Sequence, residues 1–238
     1  MIGYSYNDKG IYISTITLRK DPLEKNRYLI PRNCTLIQAP EYGENQIPVF
    51  NGTEWEIKED YRGKIIYNIE TKESQKIKEI GPVPEGWTLE KPFEFSKWDS
   101  ENNTWVLDEK QVKNYKLSEL KNIFTDKITK TTIHSQTIDK DIDAGTVALT
   151  NINGLLDILE NDDDTVEFRL ADNSFTTVTR TQLVEMKKEI IQAGQQLYKN
   201  KWAIEKQINS ETDIEKLKNS VIDLDNGMLV YTEPKGEE

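Results

Sequence analysis

The stretch Val49–Tyr67, VFNGTEWEIKEDYRGKIIY, decides how the first half of this chain is read. Phe50 precedes an Asn51-Gly52 turn pair, Trp55 stands on the returning run, and Asp60-Tyr61-Arg62-Gly63 makes a second turn before KIIY. Asn-Gly between two apolar runs is a strong short-range hairpin signal, because both residues tolerate positive φ. The pattern has an echo in Lys97–Trp105, KWDSENNTW: an aromatic, a polar turn, then a tryptophan on the return. Both stretches are read as duplicated or convergent hairpins with aromatics packed across their two strands. A lone hairpin is marginal in water, so each must dock on something.

The surrounding sequence continues in the same style. Ile11–Leu18 (IYISTITL) alternates β-branched residues, Tyr28–Pro31 (YLIP) ends on proline, and Lys64–Ile69 (KIIYNI) follows Arg62-Gly63. Asn7–Gly10, Pro40–Gly43 and Pro84–Gly86 punctuate these runs. Residues 1–108 are therefore expected to form small antiparallel β-hairpin modules.

After Trp105 helix formers take over. Val112, Tyr115, Leu117, Leu120, Phe124 and Ile128 recur at three and four residues, which predicts a connecting amphipathic helix over 109–130. A second helix is expected over Leu149–Glu160, and VEFRLADNSFTTVT (Val166–Thr179) alternates about Ala171–Ser174 as a third hairpin. From Thr181 the residues Leu183, Met186, Ile190, Ala193, Leu197, Ile204 and Ile208 trace a near-heptad seam with one polar interruption. Ser210–Asp213 reads as a capping box that ends this helix and starts a short one through Ile214, Leu217 and Val221. The tail PKGEE is expected to fray. The fold class is α+β: β-hairpin modules in 1–108, the connecting helix, and a helical α+β domain in 131–238 packed on a hairpin.

Composition narrows the function classes. The chain has 238 residues, one cysteine and a net charge of -11, with 31% charged residues. Cys34 alone cannot form an internal disulfide, so a disulfide scaffold is excluded. No segment approaches the ~18 apolar residues of a membrane span, and Met1–Lys9 shows no basic n-region leading into an apolar run, so a soluble protein without membrane partner or secretion signal is expected. Lysines and acids alternate, as in KESQKIKE, and no basic stripe opposes the overall negative charge, so nucleic acid is not expected as a partner.

Catalytic patterns are equally scarce. His134 is the sole histidine, which removes two-histidine metal sites and histidine dyads. A packed Cys34 and an exposed His134 are the favoured readings. Asp139–Gly145 (DKDIDAG) resembles the start of a calcium loop, but Gly145 falls one place late and Thr150 stands where a bidentate acid is needed, so a solvated loop is expected. Asn161–Asp164 terminates a helix. No phosphate-cradling glycine run exists, and no carboxylate pair stands out among 42 acids. No catalytic residue, metal or cofactor is expected. The tryptophans remain: Trp55, Trp87, Trp98, Trp105 and Trp202. They serve either as cores of small modules or as exposed platforms for a protein or a sugar ring.

Many weak matches in order then point one way. Asp21-Pro22-Leu23, YLIPRNCT (Tyr28–Thr35), Ala39-Pro40, Gly43, VFNGTEW and DYRGKIIYN from Asp60 resemble the tail-fibre assembly proteins of tailed bacteriophages. FRLADN (Phe168–Asn173), Thr181-Gln182-Leu183 and LYKNKWAIEKQI (Leu197–Ile208) are similar to a domain fused behind such proteins in phages and prophages. The resemblance implies a non-enzymatic chaperone that binds the C-terminal tip of a trimeric tail fibre in the host cytoplasm. It implies help with folding or trimerisation, and a place at the virion's fibre tip in contact with the host receptor. The residues expected to bind fibre are Trp55, Tyr61, Arg62, Trp98 and Trp105. A rival reading from another class is a carbohydrate-binding module that recognises host surface glycan through its tryptophans.

Overall fold

The computed structural model describes residues 1–231, so the PKGEE tail lies outside the described residues. The chain divides into two compact units, Met1–Val106 and Leu107–Glu238. The α+β class holds: the first unit is strand-rich and the second combines helices with hairpins.

In the first unit, β1 (Ile2–Tyr6) and β2 (Tyr12–Thr17) form a hairpin. A short ribbon of β3 (Arg19–Lys20) and β4 (Tyr28–Leu29) follows, and β5 (Cys34–Thr35) returns to the other side of β1. β6 (Gln46–Phe50) and β7 (Trp55–Glu59) are the hairpin of VFNGTEW, with Phe50 directly opposite Trp55. The order of elements then repeats, without a counterpart of the β3–β4 ribbon. β8 (Ile65–Asn68) pairs with β9 (Ser74–Lys76) and with the returning β10 (Trp87–Thr88), and β11 (Ser96–Asp99) pairs with β12 (Thr104–Leu107).

The two halves of this unit coincide in detail. Tyr4 faces Thr35 as Tyr67 faces Thr88. The Tyr6 N–H donates to the Asn33 carbonyl at 2.9 Å and the Ile69 N–H to the Gly86 carbonyl at 3.0 Å. The returning strands come from IPRNCTL (Ile30–Leu36) and VPEGWTL (Val83–Leu89). Their threonines, Thr35 and Thr88, accept from the N–H two residues on, both at 3.2 Å. The first unit is thus a duplicated module, and the two aromatic hairpins noted in the sequence are its repeated second element. Few aliphatic side chains are buried here, chiefly Leu18 and Ile66, so aromatic rings supply much of the packing.

The second unit opens with α1 (Glu109–Lys130), capped by the Asp108 side chain. Its buried face is Val112, Lys116, Leu120 and Phe124, and it packs on the long helix α3. Tyr115, expected on that face, is exposed. β13 (Thr132–Ser135) and β14 (Lys140–Asp143) make a hairpin where the sequence predicts a solvated loop. Ile133 and Ile142 pair across it, and Ile142 is fully buried, so one apolar face with polar partners suffices for a strand pair. α2 (Thr146–Ile158) starts three residues earlier than Leu149. β15 (Thr165–Arg169) and β16 (Phe175–Thr179) pair as expected, and Asn173 takes a positive φ of 69° in the turn.

α3 (Arg180–Ser210) begins on a capping box between Thr179 and Gln182. Its seam buries Leu183, Met186, Ile190, Leu197, Ile204 and Ile208, with Asn200 as the polar interruption. The Asn200 amide donates to the Leu224 and Asp225 carbonyls at 3.0 and 2.7 Å. α4 (Ile214–Lys218) is capped by Asp213, not Ser210, and stops before Val221. Val221 instead belongs to β17 (Ser220–Asp223), which pairs with β18 (Met228–Tyr231). The core of the second unit joins Ile142, Ile152, Phe168, Val178, Leu183 and Met186 from hairpins and helices alike.

Candidate functional site

Two groups of aromatic rings in the first unit gather at its two repeated hairpins, around Trp55 in one and Trp98 and Trp105 in the other. Trp55 packs against Phe50 at 5.1 Å between ring centroids, Tyr12 at 5.7 Å and Tyr6 at 6.1 Å, the last two edge-on. Its indole N–H is committed to the Ile37 carbonyl at 2.9 Å. Asn51 shapes the turn by accepting from the Thr53 and Glu54 N–H groups, both at 2.9 Å. The hairpin is held to the first sheet by the Phe50 N–H, which donates to the Gly10 carbonyl at 2.8 Å. The cluster is only half-buried, and Ile37 and Tyr42 beside it are exposed.

The second copy repeats this with less surface. Trp98 and Trp105 stack edge-on at 5.2 Å, and the Trp105 N–H donates to the Glu90 carbonyl at 3.0 Å, the counterpart of Ile37. Asp99 takes the place of Asn51, accepting from Glu101 and Asn102. Trp105 is 6% exposed, whereas Trp98 is half-buried and presents the accessible ring.

Tyr61 and Arg62 lie past the far end of β7 from Trp55, on the order of 20 Å away along an extended strand. The five candidates therefore do not form one patch. Arg62 makes a two-pronged contact with Asp60, Nε and Nη2 each at 2.7 Å, and that contact holds the Asp60 carboxyl below its ordinary pKa. Lys64 stands over the Tyr61 ring at 5.8 Å. Arg62 also lines a cleft of about 410 Å³ with Lys9, Lys58 and Lys78, a set of cations far apart along the chain that sequence reading missed. Nothing in the linear pattern marks it, because acids stand close to each of these lysines in the chain.

In the second unit, His134 stands between two carboxylates, Nδ1 2.8 Å from Asp141 and Nε2 3.1 Å from Asp139. The stretch that resembles the start of a calcium loop is thus strand and turn, and two of its acids face the imidazole. Among the described residues no group of three or more His, Cys, Asp or Glu side chains is arranged to hold a metal ion. No helix among them is long and apolar enough to cross a membrane. Burial pushes the Glu189 carboxyl up, but donors from Ser135 and Thr137 outweigh it and leave the pKa lowered, which ties α3 to the β13–β14 turn.

Residues 110–221 match a family model described as a domain of unknown function, DUF4376. Over 93 residues the chain is 34% identical to the tail fiber assembly protein of Escherichia phage lambda, covering 38% of this chain and 47% of that one. Over 93 residues it is 36% identical to the prophage tail fiber assembly protein homolog TfaR of Escherichia coli K12, covering 38% and 48%. Protein TfaD of the same strain is 37% identical over 76 residues, 31% of this chain and 40% of its own. The chain spans about half the length of the curated relatives it matches, and no solved structure matches it. Over part of its length the chain is thus similar to the tail fiber assembly protein of a phage and to a prophage homolog of such a protein, and its residues 110–221 match a domain described as of unknown function.

Proposed function

We propose that this protein is a non-enzymatic tail-fibre assembly factor that binds the C-terminal tip of a trimeric fibre and aids its folding or trimerisation. The observation that carries the reading is the identity, over 93 residues, with a protein named for tail fiber assembly. Physical chemistry supplies the need. A trimer rich in non-local β pairing folds slowly and exposes unpaired strand edges while it assembles, so a partner that covers those edges prevents aggregation. The half-buried cluster of Trp55, Phe50, Tyr12 and Tyr6, with exposed Ile37 and Tyr42 beside it, supports a docking surface for that partner. Trp98 gives the second copy a smaller version of the same surface. The domain over 110–221 is the accessory part, with a place at the fibre tip facing the host.

Co-expression with the cognate tail fibre tests this. The fibre should be soluble and trimeric with the protein present and aggregated or monomeric without it. A fibre that trimerises unaided, together with a protein that by itself binds host surface glycan, would transfer the function to carbohydrate recognition.

A further inference from the structure

The cleft around Arg62 runs against the charge of the rest of the chain. Lys9, Lys58, Arg62 and Lys78 line it together with a single acid, Glu79, and Ile11 and Val49 give it an apolar floor. Over the whole sequence the balance is the reverse, 31 basic to 42 acidic residues. Three of the four cations have one carboxylate partner each: Lys9 with Glu79 at 3.7 Å, Lys58 with Glu56 at 3.5 Å, and Arg62 with Asp60. Lys78 has no ion pair among the described residues, and its side chain is exposed. The guanidinium of Arg62 uses Nε and Nη2 on Asp60, so its Nη1 N–H groups make no hydrogen bond among the described residues. The cleft lies where the two copies of the module meet: Lys9, Ile11, Val49 and Lys58 come from the first, Lys78 and Glu79 from the second.

We infer that this cleft receives a short carboxylate-bearing peptide segment of the protein partner, its acids reaching Lys9, Lys78 and the free edge of Arg62, and its apolar side chains resting on Ile11 and Val49. The inference rests on the assembly reading for the identity of that partner, the fibre. Charge decides the length of the ligand. A long polyanion is repelled by a protein of net charge -11. A short segment held in the cleft feels the local cations, since charges more than about 8 Å off are largely screened at physiological salt. Such contacts act more on partner choice than on raw affinity, so the cleft selects which fibre is accepted while the aromatic cluster supplies apolar contact area.

Fluorescence anisotropy with the full chain provides the test, using a fluorescein-labelled peptide of alternating Asp and Ser and a matched peptide of alternating Lys and Ser. The Asp peptide should bind, several-fold more weakly when salt is raised from ~50 to ~300 mM, and the Lys peptide should not. The double variant Lys9→Glu/Lys78→Glu should weaken the Asp peptide roughly tenfold or more at an unchanged melting temperature. Equal binding of the two peptides, an unaffected double variant, or tighter binding of a heparin fragment than of the Asp peptide overturns the inference. Co-purification separates it from the assembly reading. If the double variant retains the fibre as well as the unaltered chain, the cleft is not the fibre's site and the assembly reading survives. If the unaltered chain holds no fibre while the peptide titrations go as expected, the assembly reading fails and the acidic-peptide site stands.

Discussion

Lys116 and Ser220 lie 104 residues apart, yet the Lys116 ammonium donates to the Ser220 carbonyl at 2.6 Å inside the second unit. Lys116 is 4% exposed, on the same face of α1 as Val112, Leu120 and Phe124, and its second partner is Glu119 at 3.1 Å. A buried ammonium persists only with such partners, and this one ties α1 to the start of β17. Lys116→Ala should destabilise the protein by about 2–3 kcal/mol, the cost of a charge-assisted bond and the acceptor it leaves unpaired. Lys116→Met should cost less, because it refills the space. Urea denaturation of both variants decides the order; equal losses would mean that the ammonium's bonds alone hold the position, and an unaffected Lys116→Met would mean that packing alone does.

Gly10 takes a positive φ of 79°, and a Cβ there would stand 2.2 Å from the Phe50 carbonyl oxygen. Gly52 has φ 103°, but a Cβ at that position would meet nothing within 4 Å. The pair separates clash from backbone strain. Gly52→Ala should cost about 1 kcal/mol from conformation alone, whereas Gly10→Ala should cost at least twice that, because the β6–β7 hairpin must shift from the first sheet. Thermal melts of the two variants, with Trp55 fluorescence as the local reporter, give the comparison. Similar shifts would show that the hairpin moves without penalty.

The His134 imidazole has a carboxylate at each nitrogen, and only the protonated ring can donate to both. Asp141 and then Asp139 raise its pKa above the ordinary 6.5, with Lys140 and Asp172 lining the same groove. A raised folded-state value means that the stabilisation is complete below 6.5 and is lost as pH climbs through the folded value. The β13–β14 hairpin should therefore loosen as pH rises above 6.5, while the ring is exposed enough for the effect to be small. Imidazole proton shifts across a pH titration should give a midpoint above 6.5, and Asp141→Asn should lower it. A midpoint at or below 6.5 in the unaltered protein contradicts the bracketing.

The fold is legible wherever local chemistry and final packing agree. Asn51-Gly52 and Ala171–Ser174 mark hairpins, and the α3 seam shows its period because Leu183, Met186, Ile190, Leu197, Ile204 and Ile208 are all buried along one helix. Asn226-Gly227 between VIDL and MLVY is an equally good turn signal, with Gly227 at φ 65°, but the helical spacing that runs on through Val221 hides it. Lys116 cannot be found this way, since a lysine at a core position is identical in sequence to a solvated one until the Ser220 carbonyl is in place. The candidate site is half legible. The paired aromatics announce themselves, whereas Lys9, Lys58 and Lys78 converge only through the meeting of two modules. The repeat behind that meeting leaves a faint trace in IPRNCTL and VPEGWTL, two stretches that share only a proline and Thr-Leu.

Fragments 1–106 and 107–238 should each fold alone, because each unit has its own buried side chains, Leu18 and Ile66 in one and the Ile142–Ile190 cluster in the other. Tryptophan emission offers a direct check, since Trp55, Trp87, Trp98 and Trp105 fall in the first fragment and Trp202 alone in the second. Trp202 is 58% exposed beside Tyr198, so the second fragment should emit to the red and be quenched readily by iodide. The first should emit further to the blue and resist quenching, given that Trp105 is buried and that the indole N–H of Trp55 is bonded within the unit. Each fragment should also melt cooperatively. Limited proteolysis of the full chain that leaves no stable piece ending near residue 107, or a first fragment whose emission matches that of free tryptophan, would show that the two units depend on each other to fold.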